Sequence, residues 1–204
     1  MSEQVSQVVF ILGHPAAGKT SLYQEIEQKL IRNGQTSFRI NDREFFWRAM
    51  ELDADRQYHQ FYEDGSHRIT DPRFFDLQFR LLRESLIETE WIEDWVFVEL
   101  TSKDYARTMQ QIGLDVLADS ILIWVHTSLE TALARNRNRS ETGKIDDTAI
   151  PDHYIHDCFD QLSDLTNLSQ NFRCSFQVTN DQDDESEIER LAGEIVRFLL
   201  QVEV

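Results

Sequence analysis

The sequence predicts an α/β domain in which helices cover a parallel β-sheet. Short apolar runs alternate with amphipathic segments along the chain, and the first run ends in a glycine-containing turn ahead of a helix. Strands and helices that alternate at this spacing are typical of parallel sheets. The length of 204 residues suits one compact domain, and we expect residues 1–204 to form a single unit without linkers or repeats.

Five apolar runs predict the strands. The first, 7–12, is almost entirely apolar and ends at Gly13, which is typical of a buried parallel strand. The third run leads directly into an acid, Glu99. The predicted strands are 7–12, 36–40, 95–100, 120–125 and 174–178.

Amphipathic periodicity predicts the helices between these strands. In the first helix the apolar residues Leu22, Ile26 and Leu30 recur every fourth position, and Asn33-Gly34 supplies a C-cap. Pro151 fits the first turn of a later helix. The predicted helices are 20–32, 42–60, 73–90, 105–117 with an interruption at Gly113, 129–136, 151–168 and 188–200. The predicted loops are 63–72 and 138–148.

Charge and composition exclude several classes of function. The chain has 37 acidic and 20 basic residues, a formal net charge of −17, so its surface repels long nucleic acids while a local basic pocket stays compatible. No apolar run approaches the ~18 residues of a membrane span. The start of the chain lacks a signal-peptide pattern, and Cys158 and Cys174 make no disulfide framework. We therefore expect a cytoplasmic protein without a membrane partner.

The most informative segment is Gly13–Thr20, which matches G-x-x-x-x-G-K-T at every fixed position. Glycines permit the dihedral angles with which such a loop wraps phosphate groups in backbone N–H groups. In this pattern Lys19 reaches the β- and γ-phosphates, and the Thr20 hydroxyl holds Mg²⁺. The predicted nucleotide contacts here are Gly13, Pro15, Ala16, Ala17, Gly18, Lys19, Thr20 and Ser21. We expect His14 to fill space in the loop and not to catalyse.

Two acids follow predicted strands at the sheet edge where ligands bind. Glu99 and Asp42 are each candidates to hold the Mg²⁺ shell or to accept a proton from an attacking hydroxyl. The alternatives are a solvated strand-end acid for Glu99 and a helix cap for Asp42. Beyond Glu99, Lys103 and Tyr105 are candidates to face a substrate, whereas Ser102 is equally suited to cap the next helix.

Three arginines, Arg135, Arg137 and Arg139, end the helix predicted after the fourth strand and lead into the polar loop. The planar guanidinium group binds phosphate in a bidentate manner and offsets the charge of a transferring phosphoryl group. A loop in this position suits a lid that excludes water. The alternative is a solvated helix end, where arginines favour the helix dipole.

With these parts in order, the chain resembles the P-loop kinases of the nucleoside/nucleotide kinase-like group. It looks most like the small-molecule and polynucleotide-kinase-like branch, which includes zeta-toxin-like P-loop NTPases. The resemblance covers nearly the whole chain. It rests on the segments Gly13–Thr20, 95–100, 133–139, 150–152 and 178–180.

The resemblance implies a three-layer fold with a five-stranded sheet ordered 2-3-1-4-5, and it implies ATP and Mg²⁺ as cofactors. The γ-phosphoryl group would pass to an acceptor held between strands two and three and a lid at about 136–150. Lys19 would bind phosphate, Thr20 and Glu99 would serve the metal, and Asp42 or Glu99 would be the base. Arg135 and Arg139 would act from the lid side, and the nucleotide contacts would extend to Arg135 and Asn180. The acceptor motifs of adenylate kinases and deoxynucleoside kinases are absent, so the acceptor stays open.

Three functions are compatible with these residues. The first is a kinase for a small-molecule or nucleotide acceptor, favoured by the arginine cluster. The second is a switch ATPase that acts through a protein partner, favoured by aromatic residues that would form an interface. The third is a toxin-like kinase for a cell-wall sugar or other metabolite. The aromatic residues in question are Phe45, Phe46, Trp47, Tyr58, Phe61 and Tyr62, for which core packing is the first interpretation. The oligomeric state and the choice between ATP and GTP stay open.

Overall fold

The computed structural model describes residues 6–61, 67–142, 150–160, 165–182 and 184–202. The strands are β1 (Gln7–Gly13), β2 (Ser37–Asn41), β3 (His59–Phe61), β4 (His67–Ile69), β5 (Trp95–Leu100), β6 (Ile121–His126) and β7 (Cys174–Thr179). The helices are α1 (Lys19–Arg32), α2 (Asp42–Leu52), α3 (Arg73–Glu88), α4 (Tyr105–Ile112), α5 (Leu114–Ala118), α6 (Leu129–Thr142), α7 (Asp152–Asp160), α8 (Leu165–Ser169) and α9 (Glu185–Gln201).

The main sheet is parallel throughout, with the strand order β2-β5-β1-β6-β7. When the small β3–β4 hairpin is set aside, this is the expected order 2-3-1-4-5. The last residue of β1, Gly13, pairs with Val125 of β6, and Leu12 pairs with Leu100 of β5. All five strands therefore end at the same edge of the sheet, where α/β proteins bind ligands.

Two apolar clusters hold helices on the two faces of the sheet. In β1, Phe10 and Leu12 face the cluster that contains α2, α3 and α4, while Val9 and Ile11 face the cluster that contains α1 and α9. All four side chains are fully buried. The nearly continuous apolar run thus reflects a central strand that is covered on both sides, which confirms the predicted three-layer architecture.

The helix predicted at 42–60 is wrong in its second half. After α2 the carboxylate of Asp53 accepts hydrogen bonds from the backbone N–H groups of Gln57 (2.8 Å) and Tyr58 (2.9 Å). The same carboxylate lies 2.7 Å from Nδ1 of His59, and both side chains are buried. These side-chain bonds replace helical ones and turn the chain into the β3–β4 hairpin.

The helix predicted at 129–136 continues through Thr142, because α6 contains no glycine or proline to end it. Arg135–Arg139 therefore lie inside a helix, and the prediction that they end one is wrong.

Residues 143–149, the remainder of the expected lid, lie outside the described part of the chain. The segment predicted as one helix at 151–168 is observed as α7 and α8, and residues 161–164 between them are likewise outside the description.

Phe45 and Phe46, two of the aromatic residues after β2, pack into the interior, whereas the Phe61 side chain and Tyr62 lie outside the described part of the chain. Phe45 is buried in the core, and the ring of Phe46 lies 5.0 Å from that of Phe74. Trp47 is 43% exposed. Core packing, the first interpretation of this cluster, therefore accounts for Phe45 and Phe46. Among the described residues, no helix is long and apolar enough to cross a membrane.

Candidate active site

The loop between β1 and α1 depends on two glycines with positive φ angles. Gly13 has φ 153° and Gly18 has φ 82°. A Cβ atom at Gly13 would collide with the carbonyl oxygen of Val125, and one at Gly18 would lie 2.5 Å from Nδ2 of Asn180. The glycines of the sequence pattern are therefore required both by backbone conformation and by close approach to β6 and to the end of β7.

Lys19 begins α1 and folds back over the loop. Its Nζ donates hydrogen bonds to the carbonyl oxygens of Gly13 (2.9 Å) and His14 (2.8 Å). Burial lowers the pKa of Lys19 to about 8, and the nearby carboxylates of Glu99 and Asp42 counteract this change. The ammonium group therefore remains protonated near neutral pH, at the positive N-terminal end of a helix, which is a favourable place for phosphate.

Tyr105 supports the loop from beneath. Its hydroxyl accepts a hydrogen bond from the N–H group of Gly13 (3.1 Å) and donates one to the Gly13 carbonyl oxygen (2.9 Å). Burial raises the pKa of the phenol, so it stays protonated and keeps both roles. The suggestion that Tyr105 faces a substrate is wrong, and no local pattern in the sequence marks its contact with the loop.

Thr20 and Glu99 meet in the position expected for a metal site. The Thr20 hydroxyl donates to Oε1 of Glu99 at 2.6 Å, and Nη1 of Arg39 lies 3.6 Å from Oε2. Glu99 is buried, so the alternative of a solvated strand-end acid is wrong. Its Oε2 atom is buried without a hydrogen-bond partner among the described residues.

The Thr20 hydroxyl and the Glu99 carboxylate fit Mg²⁺, which prefers oxygen ligands of this kind. Mg²⁺ also keeps several waters and phosphate oxygens as ligands. Within the described ranges, no group of three or more His, Cys, Asp or Glu side chains is arranged to hold a metal by itself. The protein's own contribution would therefore be the Thr20 hydroxyl, with Glu99 behind it.

Asp42 lies at the end of β2, as the first residue of α2. Its Oδ2 atom accepts a hydrogen bond from the backbone N–H of Thr101 (3.0 Å), which joins α2 to the loop after β5. The helix cap is Asn41, whose side chain accepts from the Arg43 N–H at 2.9 Å, so the alternative of Asp42 as the cap is wrong. Burial raises the pKa of Asp42 to about 6, although the Thr101 hydrogen bond and Lys19 oppose this.

Arg135 and Asn180 join α6 and the end of β7 to the phosphate loop. The Arg135 guanidinium donates to the carbonyl oxygens of Asn180 (3.0 Å) and Gln182 (2.9 Å), and it reaches that of Ala16 at 3.5 Å. The buried Asn180 side chain donates to the Ala17 carbonyl oxygen at 2.8 Å. Both residues therefore lie beside the loop, in the region predicted to contact the nucleotide.

The other two arginines of the cluster, Arg137 and Arg139, lie on different sides of α6. Arg139 follows Arg135 by one helical turn and shares its side of α6. Burial is the main cause of the lowered pKa of Lys19, and the charge of Arg139 adds to it, which places Arg139 within electrostatic reach of the loop. The Arg137 side chain is 68% exposed and lies 3.9 Å from Asp152.

His14 is enclosed by aromatic rings. Its imidazole stacks on Phe159 of α7 with ring centroids 3.6 Å apart, and it is almost fully buried. Burial, with contributions from His126 and Lys19, lowers the pKa of His14 to about 4. The ring is therefore neutral near pH 7, and its packing agrees with the expected space-filling role.

Solved structures match this architecture along nearly its whole length. Shikimate kinase from Bacteroides thetaiotaomicron aligns over 95% of this chain and 98% of its own, with a TM-score of 0.55 and 18% identity. A gluconokinase from Sinorhizobium meliloti 1021 aligns over 98% of this chain and 100% of its own, with a TM-score of 0.56 and 13% identity. APS kinase from Mycobacterium tuberculosis, in complex with AMPPNP and APS, aligns over 96% of this chain and 98% of its own, with a TM-score of 0.55 and 15% identity.

The chain has the P-loop kinase fold. The resemblance seen in the motifs is thereby confirmed at the level of architecture. No family model matches the sequence, and no curated protein does so either. At identities below one fifth, the P-loop kinase fold leaves the acceptor open.

The support of the loop by Tyr105 is testable with Tyr105→Phe. This change leaves the Gly13 N–H group buried without a partner, which we expect to lower the free energy of unfolding by about 1–3 kcal/mol and to weaken ATP binding. Urea unfolding and calorimetric ATP titration measure the two effects. Tyr58→Phe, beside Arg73 of α3, is the control and should change neither. Weaker ATP binding with unchanged stability would contradict the supporting role and indicate direct contact with the nucleotide.

Proposed function

We propose that this protein is an ATP-dependent phosphotransferase that moves the γ-phosphoryl group of ATP to a hydroxyl or phosphate acceptor on a small molecule or nucleotide. One observation carries the proposal. A phosphate loop meets two separately held carboxylates at one sheet edge: Glu99 on the Thr20 hydroxyl, and Asp42 on the Thr101 N–H. A nucleotide switch needs the first carboxylate, whereas transfer to an acceptor also needs a base.

The nucleotide would bind with its phosphates in the loop. Backbone N–H groups and Lys19 would hold the β- and γ-phosphates, and the Thr20 hydroxyl would be the metal ligand of the chain. Mg²⁺, when bound, neutralises charge on these phosphates. Glu99 would hold the metal's water shell and orient Thr20 through their 2.6 Å hydrogen bond. Asn180 and Arg135 would line the nucleotide side of the site.

Asp42 is the better candidate for the base. One oxygen of Glu99 is already engaged by Thr20, and Arg39 lies near the other. Asp42 keeps one oxygen on the Thr101 N–H group, and its pKa of about 6 is close to the pH at which a base has to act. We therefore assign proton acceptance from the attacking hydroxyl to Asp42, and the metal shell to Glu99.

Arg139 would stabilise the transferring phosphoryl group, because it shares the loop-facing side of α6 with Arg135. Arg135, bound to three carbonyl groups around the loop, would mainly brace the nucleotide site. The lid would consist of the end of α6 and the segment up to residue 150. Small-molecule acceptors are favoured because the structural neighbours are named for kinases of shikimate, gluconate and APS.

The decisive assay uses labelled ATP, Mg²⁺ and a panel of nucleosides, nucleotides, sugars and hydroxy acids. We expect a labelled product with the wild-type protein and none with Lys19→Ala, because the γ-phosphate loses its cation. Lys29→Ala, which removes a lysine from the other end of α1 beside Glu189, is the control for loss of a positive charge from this helix. ATP hydrolysis at the same rate with and without every acceptor would contradict the proposal and favour a switch ATPase.

The assignment of the base makes a prediction about pH. Only ionised Asp42 accepts a proton, so kcat/KM should rise as the pH increases through about 6 and should level off above it. Asp42→Asn should lower kcat by about 100-fold or more and flatten the profile, while ATP binding is kept. Any pH dependence that remains in the Asp42→Asn variant comes from another group, such as the nucleotide. If kcat/KM of this variant still rises through pH 6, Asp42 is ruled out as the source of that rise.

The arginines of α6 offer a matched pair. Arg139→Ala should lower kcat by about 1,000-fold, in the range of arginines that stabilise a transferring phosphoryl group. Arg137→Ala, two residues earlier and largely exposed, should leave kcat within about twofold. Steady-state kinetics at saturating ATP measure both. Equal losses in the two variants would contradict the assignment and point to damage to α6.

A further inference from the structure

The loop after β5 contacts the proposed base and carries a cation two residues later. Thr101 donates its N–H group to Asp42 Oδ2 at 3.0 Å, and Lys103 follows two residues later. Ser102 and Asp104 shape this loop: the Asp104 N–H donates to Ser102 Oγ, and the Asp104 side chain caps α4. The alternative of Ser102 as the cap is therefore wrong. Lys103 therefore lies in the short segment between Thr101, which contacts Asp42, and the start of α4.

The Lys103 ammonium group contacts two side chains of α7. Its Nζ is 2.5 Å from Oδ2 of Asp157 and 4.3 Å from the centre of the Tyr154 ring. The side chains of Lys103 and Asp157 are 34% and 48% exposed, so a solute can reach both. Ion pairs with this exposure contribute little stability, so replacing Asp157 by the carboxylate of a solute costs little free energy.

The same helix contacts both this cation and the phosphate loop, because Asp157 pairs with Lys103 and Phe159 stacks on His14. Burial raises the pKa of Cys158 to about 11, and the charges of Lys103 and Lys19 both counteract the rise. Burial also raises the pKa of Tyr154, and Asp42 contributes to that rise. The face of α7 that carries Tyr154 and Cys158 is thus within electrostatic reach of Lys19, Asp42 and Lys103.

We propose that Lys103 binds an anionic group of the acceptor, a carboxylate or a phosphate, which takes the place of Asp157 while the acceptor hydroxyl lies at Asp42. The acceptor class is then a hydroxylated acid or a phosphorylated small molecule. This inference rests on the proposed function and adds a specificity-determining residue to it. The competing interpretation is a latch, in which the Lys103–Asp157 pair only holds α7 over the site.

Two substitutions separate these interpretations, because both break the ion pair. If Lys103 binds the acceptor, Lys103→Met should raise the KM for an anionic acceptor about tenfold with kcat within about twofold, since a charge-assisted hydrogen bond is lost. Asp157→Asn should lower the same KM, because a competing carboxylate is removed. Lys103→Arg, which keeps the charge, should stay close to wild type. A latch requires Lys103→Met and Asp157→Asn to change the kinetics in the same direction, and that result would overturn the inference.

The assay compares pairs of acceptors that differ mainly in charge: gluconate with sorbitol, shikimate with its methyl ester, and glycerol 3-phosphate with glycerol. We expect the anionic member to be preferred by about tenfold in kcat/KM, and the preference to disappear in Lys103→Met. Equal use of both members would overturn the inference and leave the phosphotransferase proposal intact.

A second measurement needs no phosphoryl transfer. With the loop saturated by AMPPNP and Mg²⁺, the wild type and both variants are titrated with inorganic phosphate and followed by thermal unfolding. Phosphate should bind more weakly to Lys103→Met and more tightly to Asp157→Asn than to wild type. Equal affinity in the three proteins would refute the anion site. Absence of a labelled product from every acceptor would count against the proposed function alone, and the phosphate titration would still decide the role of Lys103.

Discussion

The close approach of β1 and β6 at Gly13 is the constraint on which the site depends. Parallel pairing puts Gly13 opposite Val125, where a Cβ atom at residue 13 would collide with the Val125 carbonyl oxygen. The Tyr105 hydroxyl of α4 binds both the N–H group and the carbonyl oxygen of Gly13. These contacts hold the residue at which the chain leaves β1 and enters the loop. Because α1 begins only six residues later, at Lys19, the lysine and the Thr20 hydroxyl are placed by the same geometry.

The site gathers cations in a strongly acidic chain. A net charge of −17 repels ATP and any anionic acceptor at long range, so binding has to come from local positive charge. Lys19 is held at the helix N-terminus by the loop carbonyls, Arg39 lies near Glu99, and Arg139 is close enough to affect the pKa of Lys19. Low exposure around Lys19 strengthens these local interactions relative to the screened surface charges.

The two acids at the sheet edge illustrate how environment separates similar groups. Glu99 is buried against the Thr20 hydroxyl, with Arg39 near its second oxygen, and this arrangement holds the carboxylate in one orientation. The Asp42 carboxylate accepts a hydrogen bond from the Thr101 backbone N–H group, and its burial raises the pKa to about 6. A pair of carboxylates in unlike surroundings supports the division between a metal-shell acid and a base.

The sequence by itself determined the fold class, the five strands of the main sheet, the phosphate loop and the position of Asp42 and Glu99 at strand ends. These features are encoded locally, by apolar runs, by periodicity and by a motif of eight consecutive residues, Gly13–Thr20. Helix ends were less predictable: Asp53 turns the chain with its side chain, and α6 continues through Thr142 because it contains no glycine or proline. Only the tertiary structure decided that Tyr105 supports Gly13, that Glu99 meets Thr20, and that Lys103 reaches α7. Those contacts join residues 92, 79 and 54 positions apart, and no local pattern in a single sequence carries pairings at such separations.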